Sequence, residues 1–220
     1  MNANYRSAMN RVIIIGGGSF QGKSLIALCV AHKFNIPLII STDTIRNILH
    51  ILNPHAPYLL TSTYLMSSND FKRQLSEVSK VLLELLVIVE KRGEDIIIEG
   101  MHLSDDFIAH MHSKENAVLL CIDNKQTFEK RIKYKSLTRH RVEYFDPFSK
   151  EIKYGDISES NLMFTPYAKN ASRISEIHQQ ILSYFIENQL PIVQFQEIED
   201  AMESIDKIIC NFMRCQGIKP

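Results

Sequence analysis

Short runs of Ile, Val and Leu alternate along the chain with longer stretches in which apolar residues recur every three or four positions. The short runs cover residues 12–15, 37–41, 95–100, 117–123 and 191–195. None alternates apolar with polar positions, so each reads as a strand covered on both faces. Between them the spacing predicts helices over 23–34, 44–52, 71–92, 125–135, 170–188 and 199–213. In the longest, Phe71, Leu75, Val78, Leu82, Leu85, Leu86 and Val89 share one face, and Gly93 is placed to stop it.

Strands alternating with helices imply an α/β fold. The expected architecture is a three-layer sandwich, a five-stranded parallel sheet between helices, in a single domain over 1–220. Right-handed crossovers bring the C-terminal ends of the strands to one edge, where ligands bind in such sheets. The pattern lapses over 137–166, which carries Pro147, Gly155 and Pro166 as breakers. Tyr144, Phe145, Phe148, Tyr154 and Phe164 run through that stretch, so it reads as an irregular lid and not as a linker. The lid, or acceptor-covering segment, is expected at about 125–166.

The sharpest chemical signal is Gly17-Gly18-Ser19-Phe20-Gln21-Gly22-Lys23-Ser24, a full match to G-x-x-x-x-G-K-[ST]. It follows a predicted strand and opens a predicted helix, the context that the motif needs. Glycine lets backbone N–H groups converge on phosphate oxygens, and the helix N-terminus adds partial positive charge. Lys23 is expected to reach the β- and γ-phosphates of ATP, and the Ser24 hydroxyl to ligate Mg²⁺.

The second strand ends in Ser41-Thr42-Asp43-Thr44-Ile45-Arg46. Asp43 reads either as the cap of the next helix or as a general base for an acceptor hydroxyl. Arg46, one turn on, is either a solvated surface residue or a clamp on an anionic acceptor or the transferring phosphoryl group. The third strand ends in Glu99-Gly100-Met101-His102. Glu99 could hold Mg²⁺ through water or orient the acceptor, since a carboxylate at a buried strand end calls for a cation. His102 reads equally as an acceptor contact pointing into the cleft and as a hydrogen-bonded loop residue. His110 and His112 match no metal pattern and read as surface residues. Lys125, Lys130, Arg131, Lys133, Lys135, Arg139 and Arg141 form a basic run beside the lid. Such a run is either a solvated helix face or a source of cations for the transferring phosphoryl group. Arg131 is the first choice for that role, followed by Arg139 and Arg141.

The chain has 220 residues, with 25 Lys plus Arg against 25 Asp plus Glu, which argues against a protein that coats nucleic acid through a strongly basic surface while leaving room for a local basic patch. Cys29, Cys121, Cys210 and Cys215 form no C-x-x-C pair and are expected as free thiols. Residues 1–11 have no apolar h-region, and no run approaches the ~20 apolar residues of a membrane helix. A cytoplasmic protein is expected.

The general plan resembles small P-loop kinases of the nucleoside-monophosphate-kinase type. Residues 17–24, Ile40-Ser41-Thr42-Asp43-Thr44-Ile45-Arg46 and Ile97-Ile98-Glu99-Gly100-Met101-His102-Leu103 together are similar to 2-phosphoglycerate kinase. The similarity continues more weakly through 131–138 and 167–184. It implies transfer of a phosphoryl group from ATP to the 3-hydroxyl of 2-phosphoglycerate, giving 2,3-bisphosphoglycerate. The family pattern suggests an arginine where this chain has Ser175; Arg173 lies two residues off register. That departure bears on the acceptor. Two other readings stand beside this one. A kinase like the zeta toxins or polynucleotide kinases, which share Asp-x-x-Arg after strand two, would act on a nucleotide sugar or a nucleic-acid 5′-hydroxyl. A nucleotide-dependent switch would have no small acceptor at all.

Overall fold

The computed structural model describes residues 10–138, 142–146, 151–155 and 165–215, with side chains over 10–133 and 165–215. Five strands form the parallel sheet: β1 (Val12–Gly16), β2 (Leu38–Ser41), β3 (Ile96–Gly100), β4 (Ala117–Asn124) and β7 (Ile192–Phe195). Their order across the sheet is β2-β3-β1-β4-β7. The register sets Gly16 against Gly100 on one side and Cys121 on the other, so β1, β3 and β4 reach the same edge together.

Side chains alternate along each strand, and both faces are apolar. Ile14, Ile98 and Leu119 pack with Leu82, Leu86, Phe107 and Phe185 on one face. Ile13, Ile15, Ile97, Leu120 and Ile122 pack with Ile26, Val30, Ile205 and Ile209 on the other. Two-sided burial is why these strands read as unbroken apolar runs.

The first face is covered by α4 (Ser68–Arg92), α5 (Asp105–His112) and α8 (Ala171–Glu187), the second by α1 (Lys23–Phe34) and α9 (Ile198–Cys215). Beyond β2 the chain runs through α2 (Thr42–Leu52), α3 (Pro57–Leu60) and a 3₁₀ turn at Thr63–Leu65. At the far end of the sheet, Arg11 clamps the start of β1 to Asp95: its backbone N–H donates to Oδ1 at 2.6 Å and its Nε to Oδ2 at 2.8 Å. The binding edge is left to the loops.

Several elements differ from the sequence expectation. α2 starts at Thr42, two residues early, with Ser41 in the N-cap position. α4 starts at Ser68, because the Ser67 hydroxyl accepts from the Asp70 N–H and caps it. α5 was not expected; it has Ser104 as its cap, Asp105 and Asp106 in its first turn, and Phe107, Ile108 and Met111 buried. The stretch expected to be irregular carries an antiparallel hairpin, β5 (Val142–Asp146) with β6 (Glu151–Gly155), after α6 (Phe128–Thr138) and before α7 (Pro166–Lys169). Among the described residues no helix is long and apolar enough to cross a membrane, and all four cysteines are free.

Candidate active site

The phosphate loop lies between β1 and α1, and its geometry follows from its glycines. Gly17 has φ +137° and its missing Cβ would stand 2.9 Å from the Ile122 carbonyl oxygen. A Cβ on Gly18 would meet the Cβ of His178 at 2.6 Å and its Cα at 3.0 Å. The loop is therefore pressed between β4 and α8, and only a chain without side chains fits there. Phe20, at the tip, holds φ +66° despite its side chain. Its ring meets those of Phe128 and Tyr167 edge-on, and Tyr167 in turn meets Tyr64. Gln21 is buried and its side-chain carbonyl accepts from the Asn124 N–H at 2.7 Å, tying the loop to the end of β4.

Lys23 folds back to donate to the Gly18 carbonyl at 2.7 Å. Burial pushes its ammonium below the ordinary lysine value, opposed by the nearby carboxylates of Glu99 and Asp43. The Ser24 hydroxyl donates to Glu99 Oε1 at 3.1 Å, and Glu99 is 5% exposed. A buried carboxylate and a hydroxyl side by side at the foot of a phosphate loop suit a Mg²⁺ ion, which takes one or two protein oxygens and completes its shell with phosphates and water. Among the described residues no group of three or more His, Cys, Asp or Glu could hold a metal unaided. Ser24 and Glu99 are the residues that would hold it, with nucleotide oxygens supplying the rest.

Asp43 lies inside the first turn of α2, and the N-cap position belongs to Ser41, so the capping role is not the one Asp43 fills. Its side chain is 63% exposed, with Oδ1 3.4 Å from Arg46 Nε. Arg46 is not a solvated surface residue: its side chain is 15% exposed and Nη1 donates to the Leu59 carbonyl at 3.1 Å, fixing α3 against α2. His102 differs from the expected cleft-facing contact. Its ring is fully buried, with Nδ1 3.1 Å from Thr42 Oγ1 and Nε2 3.2 Å from Thr63 Oγ1. Both nitrogens are engaged, so the ring joins the start of α2 to the 3₁₀ turn from within. Burial lowers its pKa to about 4, against the pull of Asp43. Gly100 permits that crossing: a Cβ there would stand 1.9 Å from Thr42 Oγ1.

Beyond β4, Arg131 lies on α6, and its Nε is buried with no hydrogen-bond partner among the described residues. Burial lowers its pKa against the opposing carboxylates of Asp123 and Glu129. Arg139 and Arg141 lie outside the described residues. Cys121 is inert, its thiol pushed up to about 12 by burial. His110 and His112 are exposed on α5.

The structure also brings in residues that spacing did not suggest. Asp123, at the end of β4, accepts from Gln194 Nε2 at 3.0 Å and pairs with Lys125 at 3.0 Å. Its other oxygen meets His178 Nε2 at 3.2 Å. In the sequence His178 is one polar residue on the apolar face of α8, next to Ile177 and 160 positions from the loop it touches. Only the packing of α8 across the sheet brings the two together.

Fold and sequence define an α/β protein with a P-loop motif between its first strand and first helix, at one edge of a five-stranded parallel sheet. In sequence the chain is a distant homologue of archaeal 2-phosphoglycerate kinases. It is 26% identical over 208 residues to that of Pyrococcus furiosus, covering 88% of this chain and 62% of the relative. It is 24% identical over 220 residues to that of Methanococcus maripaludis, covering 90% and 64%. The chain thus spans less than two thirds of the length of these relatives. No family model matches it. A crystal structure from Chloroflexus aurantiacus shares the fold, with TM-score 0.52, 11% identity, and coverage of 93% of this chain and 98% of that one.

Proposed function

We propose that the protein is an ATP- and Mg²⁺-dependent kinase for a small anionic alcohol, with 2-phosphoglycerate as the first acceptor to test. The observation that carries this reading is the register of the sheet: Gly16 pairs with Gly100 and Ser41 with Glu99, so the loop after β1, Glu99 at the end of β3 and Asp43 at the start of α2 lie at one edge. Phosphate-binding and proton-accepting groups therefore share one edge of the sheet, the arrangement that transfer between two bound substrates requires. The archaeal relatives named above favour the phosphoglycerate.

In this reading the loop 17–24 cradles the triphosphate of ATP, and Ser24 and Glu99 would hold a Mg²⁺ ion that would supply charge neutralisation there. Asp43 takes the proton of the acceptor hydroxyl. The freed oxygen forms its bond to the γ-phosphorus as the bond from that phosphorus to the ADP oxygen breaks. Lys23 and Arg131 face the charge that spreads over the γ-oxygens. Arg46 holds Asp43 in place and offers its guanidinium edge to the acceptor's anionic group.

The test is transfer of label from ATP to a panel of phosphorylated hydroxy acids, nucleotide sugars and nucleic-acid 5′-hydroxyls, with wild type and Asp43→Asn compared. Label on 2-phosphoglycerate, lost by ~10²–10⁴-fold in the variant while ATP binding persists, is the expected result. Transfer to a nucleotide sugar or a 5′-hydroxyl instead would assign the Asp-x-x-Arg chemistry to that class. Hydrolysis indifferent to every acceptor would mark a nucleotide switch.

A further inference from the structure

Gly18 contributes more than room. Its N–H donates to Nδ1 of His178 at 3.1 Å, in a buried setting. An N–H can only donate, so Nδ1 must carry a lone pair, and the proton of the neutral ring sits on Nε2. That proton points to Asp123 Oδ1 at 3.2 Å. Asp123 is fixed in turn by Gln194 and Lys125. An ordered chain runs from β4 through the ring on α8 to the backbone of the phosphate loop, and it works only with an unprotonated Nδ1.

We propose that His178, oriented by Asp123, is a positioning residue that braces the phosphate loop in its nucleotide-binding shape through the Gly18 N–H. The inference rests on the nucleotide-binding reading of that loop, and on nothing about the acceptor. A helical histidine with both nitrogens spent on one loop and one strand end is a built device, because the carboxylate selects the tautomer that the loop needs. Protonation would turn Nδ1 into a donor facing another donor, and the brace would release.

The charged groups around the ring set when that happens. Burial lowers the His178 pKa, Asp123 raises it, and Lys23 and Arg131 lower it again. Lys125, paired with Asp123, acts at one remove. The ring is therefore neutral at pH 7, and the loop slackens only as pH falls below the ordinary histidine range.

The experiment is calorimetric binding of Mg-ATP across pH 5–8 to wild type, His178→Asn, His178→Gln and Asp123→Asn, with melting temperatures alongside. The side-chain oxygen of asparagine can take the place of Nδ1, whereas glutamine reaches the Nε2 position only. His178→Asn should keep wild-type affinity at pH 7 and lose the acid weakening. His178→Gln should bind about tenfold more weakly than wild type at pH 7, the gap closing as the wild-type ring is protonated. Asp123→Asn should shift the acid weakening to lower pH, since the carboxylate no longer favours the charged ring. Equal affinity in His178→Gln and wild type, or equal loss in the asparagine and glutamine variants, overturns the brace. So does a wild-type affinity that ignores pH. Failure of wild type to bind Mg-ATP at all would overturn the nucleotide reading as well, and is thereby told apart from failure of the brace alone.

Discussion

His102 shows how one buried side chain couples the site to pH. Its folded pKa of about 4 lies below the 6.5 of an exposed histidine because the ring has no water around it. The unfolded chain therefore takes up a proton first. Stability is complete above pH 6.5 and falls as the pH drops from there through 4, by roughly 3 kcal/mol from this group. Thermal unfolding measured from pH 7 to 4 should show that loss, and His102→Gln should flatten part of it. Gly100 belongs to the same contact. Gly100→Ala would drive a methyl group into Thr42 and cost about 1–3 kcal/mol, read as a lower urea midpoint. The glycine and the histidine serve one contact: Gly100 lets the start of α2 approach, and His102 fastens it. The sequence marks Asp43, Glu99 and Lys23 because chemistry confines these residue types to strand ends and to one motif. It does not mark the bond of His102 to Thr63, because a threonine in a short turn has no pattern that announces a buried partner.

Elements were legible to the extent that one local signal governed them. The central strands β1, β3 and β4 are visible as apolar runs since each is buried on two faces, while the edge strands β2 and β7 are only partly buried. α4 is visible from its heptad-like stripe, and Gly93 ends it in a left-handed conformation at φ +64° with nothing near its missing Cβ. Gly93→Ala should thus cost only the backbone term, ~1–2 kcal/mol, with no change in ATP binding. α5 escaped notice although its signals were present: a serine, two acids and then Phe107, Ile108 and Met111 at helical spacing. Two turns are too few for periodicity to stand out. The hairpin of β5 and β6 escaped for another reason. Its strands pair with each other and not with the sheet, so neither carries the unbroken apolar run that a central strand must have.

At the scale of the molecule, the site depends on several chain segments meeting at one sheet edge, and a nucleotide that binds only the folded form must report on all of them. Mg-ATP at a hundred times its dissociation constant should stabilise the protein by about 2.7 kcal/mol. For a chain of this size that is a rise in melting temperature of roughly 5–11 °C. Lys23→Ala should melt near the wild-type temperature without ligand and gain little on adding it; a full ligand shift in that variant would displace the lysine from the phosphate site. The architecture was the most legible level of all, since strand and helix alternation leaves few topologies once handedness is imposed. The order of strands has one more consequence, and it concerns synthesis. β1 and β2 come off the ribosome first, yet they are not neighbours, because β3 lies between them. Translation must proceed through Gly100 before either finds its partner. At about 5–20 residues per second, the nascent chain carries two sticky, unmatched segments for several seconds. That interval is when a chaperone would have most to do.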